Sequence, residues 1–445
     1  MTEPLHNNAS TRIFVYAVQP GARLQYLLNY LNRCFAKTEF VLCSDEEAYK
    51  CWEGPSIQRG TKTLKERELH IPQSPQFTWP LEELLTGLTP KKIDRMKGLE
   101  GGEDAGFDPM AAAFWHLSRL EEYLPGQRDQ HGRFAAAGSA LGRHHLLQIP
   151  MVDRWVESLA QEIQSRYGVE LQRAFHSPSW SIGIDVDQFF KYQHKSPLRT
   201  MGGMLRDLWN SNGDAVRQRA AVLWGSSPDP FDRFDAIRST AIPYGHCKFF
   251  ILSGGKSAYD KNHDLGHPAV AQILKQLQNW AEVGLHPSYS SYDAPPELFR
   301  EKLRLDRCLN NPATISRQHF LRLSVPESYR RLLEAGITSD YSMGYPELPG
   351  FRAGTCRPYP WYDLGRDRAT PLMVHPLVCM DRSYLDYLQW DPGRSVADML
   401  ALRECCQRHG GHFHLVWHNS SFDFENEWHG WQGVFEELVG AFTTT

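Results

Sequence analysis

The strongest constraint on what this chain can fold into is a rhythm that starts near residue 180 and runs to its end. SIGIDVD (residues 181–187), HCKFFILSG (246–254), TPLMVHPLVC (370–379) and HFHLVWHN (412–419) are short apolar runs that read as strands. Between them lie AVAQILKQLQNWAEVG, which reads as a helix ending at Gly284, and the helical stretches PELFREKLRLDRCLNN, PESYRRLLEAG and SVADMLALRECCQRHGG. Parallel neighbours need a crossover, usually a helix, so this alternation predicts a parallel sheet or a β/α barrel. Chemistry in such folds gathers at the carboxyl ends of strands. Polar clusters directly after apolar runs are therefore the places to search.

A chain of 445 residues is too long for one ordinary core and predicts two domains. In the first part, RIFVYAV (12–18) and FVLCSD (40–45) read as strands flanking a helix around Leu24–Phe35. Residues 55–105 are polar and read as a surface elaboration. DPMAAAFWHLSRLEEYL reads as one helix with Ala112, Trp115, Leu117, Leu120 and Leu124 near one face, and VDRWVESLAQEIQSRYG as a helix ending at Gly168. The boundary is expected within 165–177, separating a smaller α/β N-terminal domain (1–170) from the β/α domain (178–440). Within SRLEEY the Arg and the two Glu read as a salt-bridged face, or as a wall near the mouth of the second domain.

The net charge is −4 and the isoelectric point about 6.6, so no global basic field recruits nucleic acid. Nine scattered cysteines form no CxxC pair, which fits a reducing compartment. The start shows no basic region followed by an apolar one, and no apolar run reaches the roughly 18 residues of a membrane span. The expectation is a cytoplasmic protein without a membrane span. No phosphate-binding GxGxxG or P-loop is present.

Five polar clusters follow apolar runs: Asp185/Asp187, His286, Arg317/His319, Arg352 and His418/Asn419. Singly, each has an ordinary reading as a cap, a turn or a salt bridge. Jointly, they place paired carboxylates, three imidazoles and two guanidinium groups on one rim. Two His and one carboxylate form a ligand set for catalytic zinc or another divalent metal with open positions. A second carboxylate can serve as general base, a further His as general acid, and an Arg can orient a carboxylate or a substrate anion.

At these residues the chain resembles the polysaccharide deacetylase (NodB homology, carbohydrate esterase family 4) superfamily, in a bacterial branch with an N-terminal accessory domain. The resemblance covers roughly residues 178–440 and implies a distorted (β/α) barrel. GIDVD matches the first motif, which implies that Asp185 is the base and Asp187 a metal ligand. GLHPSYSSYD supplies His286 but has Ser290 where the second-motif His belongs, and SRQHF places Arg317 at the third-motif Arg with His319 beside it. His319 is thus the candidate replacement ligand, and the implied metal set is Asp187, His286 and His319, with Zn²⁺ the expected ion. LVWHN matches the last motif, making His418 the general acid and placing Asn419 beside substrate. GFRAGTCRPY makes Arg352 a candidate to orient Asp185 or contact substrate. Asp340, in SDYSMGY, reads as a local structural anchor.

The implied activity is metal-dependent removal of an acyl group, with N-acetyl expected, from an amino sugar or glycan precursor. Arg317 and Asn419 would contact the substrate, and Tyr289, Trp361 and Trp417 would be available to stack on a sugar ring. Two other readings stand beside it: a non-catalytic carbohydrate-binding or scaffold protein of surface-polysaccharide assembly, and a hydrolase of a small non-sugar amide.

Overall fold

The computed structural model describes residues 10–60, 62–87, 108–126, 128–174, 179–240, 242–243 and 246–443. Residues 88–105 of the polar stretch and 175–177 of the expected boundary lie outside the described residues. The first unit is a four-stranded parallel sheet of β1 (Thr11–Ala17), β2 (Thr38–Cys43), β3 (Ser56–Arg59) and β4 (Leu69–Ile71), in the order β2-β1-β3-β4. The crossover helix α1 (Ala22–Cys34) buries Leu24, Leu27, Leu28 and Leu31, the i, i+3, i+4, i+7 stripe that covers a sheet face. Helix α2 (Pro109–Leu117) is buried on all sides and opens on Asp108, whose side chain accepts from the Met110 and Ala111 amides. Helix α3 (Met151–Tyr167) ends at Gly168, left-handed at φ 69° as a C-terminal cap requires.

The expected single helix over DPMAAAFWHLSRLEEYL is two pieces. Helix α2 stops at Leu117, Arg119 turns left-handed at φ 54°, and Leu120–Tyr123 form one 3₁₀ turn. The turn aims Arg119 inward, where it binds Glu122 at 2.8 Å and Glu121 at 2.9 Å with almost no exposure. In this geometry the buried guanidinium is met by two carboxylates, which offsets the cost of its burial.

The second unit contains β5 (Ser179–Val186), the helices α4 (Pro197–Trp209) and α5 (Gly213–Leu223), and β6 (Cys247–Ile251). It continues through β7 (Glu282–Leu285), β8 (Ile315–Ser316), β9 (Ser339–Met343), β10 (Tyr359–Asp363), β11 (Arg368–Pro376), β12 (Cys379–Met380) and β13 (His412–His418). The sheet order is β10-β11-β9-β8-β7-β6-β5-β13-β12, parallel except for the β10–β11 pair. One helix expected from sequence is shorter: it ends at Leu277, and Glu282–Leu285 is strand β7. Gly284 is no helix stop; a Cβ there would meet the Ile315 side chain at 2.5 Å and its carbonyl at 2.8 Å, so glycine permits the close approach of β8.

The sheet is strongly curled. β9 and β13 are five places apart, roughly 24 Å across a flat sheet at about 4.8 Å per strand, yet the Tyr341 and His414 rings lie 4.9 Å apart. The stretch from β11 to β12 crosses the gap: Leu377 N–H donates to the Met343 carbonyl and Val378 N–H to the His414 carbonyl, both at 3.0 Å. Phe250, Ile315 and Tyr341 fill the concave side. The first unit packs against the β9–β11 side, and one apolar core runs from Ile13 to Val374. Polar ties reinforce it: Arg23 to Asp367 at 2.7 Å, and the Tyr26 hydroxyl to the Pro360 carbonyl at 2.8 Å. Among the described residues no helix is long and apolar enough to cross a membrane.

Candidate active site

Strand β13 pairs with β5 so that His418 stands opposite Asp185. Asp187 follows the end of β5, His286 follows β7, and Arg317 and His319 follow β8. Asp185, Asp187, His286, Arg317, His319 and His418 therefore sit on one rim, because parallel strands end together.

Asp187 Oδ1 lies 3.3 Å from His286 Nε2 and 3.5 Å from His319 Nε2, and one potential ligand atom of each residue falls within 4.8 Å of the others. Two ligands about 2.1 Å from a tetrahedral ion are separated by about 3.4 Å, so the spacing fits. His286 Nδ1 donates to the Arg317 carbonyl at 2.6 Å, and His319 Nδ1 faces Asp260 Oδ1 at 3.2 Å. These outer partners hold a proton on each Nδ1 and turn each Nε2 toward Asp187, as metal-binding imidazoles require. Asp187 Oδ1 and His286 Nε2 are buried without a hydrogen-bond partner. Buried orphans facing each other are costly unless something bridges them, and a divalent cation fits this donor set. Burial opposes ionisation of Asp187, but His319, His286 and His418 hold its carboxyl well below the usual range. Burial likewise opposes the charge on His319, yet Asp187 and Asp260 raise it to about 9.

Asp185 is paired with Arg317, Nη1 to Oδ1 at 2.6 Å, both fully buried. The guanidinium is fixed on every side. It stacks over Phe250 at 4.2 Å, Nε donates to the Tyr341 carbonyl at 3.3 Å, and Nη2 donates to His414 Nε2. Burial and the adjacent Arg317 hold His414 well below its ordinary value, so it stays neutral and accepts. Gly183 makes room: a Cβ there would lie 2.1 Å from Arg317 Nη2.

Across the cleft, His418 Nδ1 donates to Asp381 Oδ1 at 2.8 Å, while Asp381 Oδ2 accepts from the His418 amide at 2.8 Å and the Ser421 hydroxyl at 2.6 Å. His418 Nε2 is 4.0 Å from Asp185 Oδ2. Burial works against a charged His418, but Asp381, Asp187 and Asp185 push it up to about 9, leaving it protonated at neutral pH. Beneath the rim, Asp340 accepts from the Ser316 and Ser342 hydroxyls and the Ser342 amide, an anchor between β8 and β9.

The structure brings Asp185, Asp187, His286, Arg317, His319 and His418 together. Arg352 stands elsewhere, gripped through Nε and Nη2 by Glu122 at 3.0 and 2.8 Å, and Arg119 donates to its carbonyl. The position beside Asp185 belongs to Arg317, which is too buried to reach substrate. Trp417 points to the outer face of β13, packed against Trp428, Trp431 and Phe435, because side chains alternate along a strand. Trp361 is equally buried, against Tyr329. Asn419 donates to the Gln188 and Phe231 carbonyls and ties down the loop after β5. Tyr289 is half-buried, hydrogen-bonded to His131 at 3.1 Å and covered by Arg322.

The cleft over the rim measures about 310 Å³, and its aromatic walls are Tyr259, Phe320 and Tyr387. Arg133, from the first unit, also lines it and donates to the Phe320 carbonyl at 2.7 Å. It is thus this segment, rather than SRLEEY, that comes to the mouth. Asp260 and Asp381 are the residues that reading the sequence missed. Asp381 had a signal, since it directly follows the apolar run PLMVHPLVCM; Asp260 lies in a loop with none.

A family model described as a family of unknown function (DUF7033) matches residues 13–168. No curated protein matches the chain. Among solved structures, the chain is similar to a crystal structure from Mycobacterium smegmatis provisionally named a polysaccharide deacetylase. The two share 14% identity over 59% of this chain and 83% of that one, with a TM-score of 0.38.

Proposed function

We propose that the chain is a metal-dependent hydrolase that removes an acyl group, expected to be N-acetyl, from an amino sugar or glycan precursor. The curled sheet is read as a distorted (β/α) barrel, and residues 1–170 as an accessory unit that lends Arg133 to the cleft. The observation that carries the proposal is the convergence of an Asp187–His286–His319 cluster with an Asp185–Arg317 pair and a His418–Asp381 pair on one cleft.

Asp187, His286 and His319 would hold a divalent ion, for which Zn²⁺ suits the two-imidazole, one-carboxylate set. Such an ion supplies Lewis-acid activation of water and of the acyl carbonyl. Asp185 accepts the proton of the attacking water, and Arg317 holds its carboxylate in position. His418, charged and oriented by Asp381, gives its Nε2 proton to the departing amine nitrogen as the C–N bond breaks. Tyr259, Phe320 and Tyr387 offer ring faces to a sugar.

The non-catalytic reading rested on Ser290 replacing a second-motif His, and His319 beside Asp187 takes away most of that support. The test is metal content of the purified chain together with acetate release from N-acetylated amino sugars and from small acyl amides. A stoichiometric divalent ion and release from the sugars are expected. A chain that neither contains nor takes up such an ion overturns the proposal, and release from small amides alone replaces the substrate class.

A further inference from the structure

The α4–α5 hairpin is built with its polarity inverted. Its inward side carries an ion pair, Arg219 to Asp207 at 2.6 Å, both buried, with Arg219 over the Tyr192 ring. Its outward side carries Leu198, Met201, Leu205 and Leu208, spaced i, i+3, i+7, i+10 along one face of α4, each more than half exposed. Trp209 is 90% exposed, and Trp224, just past α5, is 85% exposed. Scattered apolar residues on a surface need no explanation, but a stripe along one helix face that ends in a bare tryptophan, with a second one just past α5, does.

We propose that this hairpin is a docking surface that seats the chain on an anionic lipid bilayer. Charge favours that partner: residues 191–225 hold six Lys and Arg against two Asp, a net +4 within a chain whose total is −4. The Arg206 and Arg217 side chains are largely exposed, Arg206 with Asp207 3.9 Å away and Arg217 paired with Asp214 at 2.5 Å. An apolar face with Trp anchors and flanking cations is the composition of a helix lying in the membrane plane. Continuity with the cleft supports it too. The hairpin walls a second cavity of about 650 Å³ containing Lys191, Lys195 and Arg199, and that cavity shares Gln188 and Lys261 with the candidate active site. Docking would hold the chain at a membrane in which an amino sugar can be carried on a lipid phosphate. That substrate class rests on the hydrolase proposal; the docking does not.

The test is co-sedimentation of the full chain with vesicles of phosphatidylcholine alone and of phosphatidylcholine mixed with phosphatidylglycerol. The chain is expected to pellet with the mixed vesicles, more weakly at high salt. The double variant Leu205→Glu/Trp209→Ser should bind about tenfold less, with an unchanged Tm because both side chains are exposed. Pelleting without acetate release would support docking while removing the hydrolase reading. Failure to pellet with either vesicle overturns the docking, as does a concentration-dependent dimer that the same variant dissolves.

Discussion

Arg317 Nη1 lies 2.6 Å from Asp185 Oδ1, and this buried pair bridges two strands three places apart in the sheet. The guanidinium spans the concave side of the curl, so the curl and the orientation of the carboxylate depend on the same contact. Replacing Arg317 with Met leaves Asp185 buried and uncompensated, a change that typically costs about 3–5 kcal/mol. Urea unfolding should register the loss, and turnover should fall as the carboxylate loses the contact that aims it.

Gly183→Ala reaches the same pair from the backbone side. Its Cβ would fall 2.1 Å from Arg317 Nη2, so the guanidinium must shift away from Asp185. Metal content should stay at the wild-type level, since the metal cluster is untouched, while kcat falls by about 10²-fold or more as the base loses its alignment. Unchanged kcat would separate Asp185 from the reaction.

The metal cluster is tested by Asp187→Ala and His319→Ala. Each removes one donor of a three-donor set, and metal content and turnover should fall together, for Asp187→Ala to background. If His319→Ala keeps its metal, His319 is not the replacement for the missing second-motif His, and a different third ligand completes the set. His286→Ala serves as the positive control.

His418 has a pH signature. In chelator-treated protein its folded pKa is raised to about 9 from an ordinary 6.5, by Asp381, Asp187 and Asp185 acting against burial. A raised folded value stabilises fully below about 6.5, and that contribution is lost as pH rises through about 9. NMR titration should place the His418 transition near 9. In the loaded protein, turnover should fall on the alkaline side as His418 loses its proton. Asp381→Asn should move that limb to lower pH, without removing metal.

Arg352 and Glu122 join the two units, apart from the rim that carries Asp185. Glu122 is held ionised, because Arg352 and Arg119 outweigh burial. Glu122→Ala strands two buried guanidinium groups and should cost about 3–5 kcal/mol in chemical denaturation, with metal content per folded molecule unchanged. Loss of turnover without loss of stability in Arg352→Ala would instead return Arg352 to the active site.

Reading residues in order could single out Asp185, Asp187, His286 and His418 as candidates, because each interrupts or ends an apolar run where burial of a polar group demands a reason, whereas His319 was a candidate only through its place in a resembled motif. Which Arg meets Asp185 was not legible. Arg317 and Arg352 both follow strand-like segments, and only the curl decides which one spans to β5. The same holds for the tryptophans: Trp417 neighbours a site residue in sequence, but the alternation of β13 sends it to the opposite face. Asp260 was invisible because it joins His319 from a loop 59 residues away.

By itself, the sequence determined the strand and helix alternation, the parallel order it forces, and the rim on which polar groups collect. Those follow from local periodicity and the cost of burying polar atoms. Tertiary structure decided the pairings: Arg317 with Asp185, Asp260 with His319, Asp381 with His418, and Arg352 with Glu122. Partners of buried charges are chosen by distance in space, and a sheet curled enough to bring β9 against β13 creates distances that no spacing along the chain encodes.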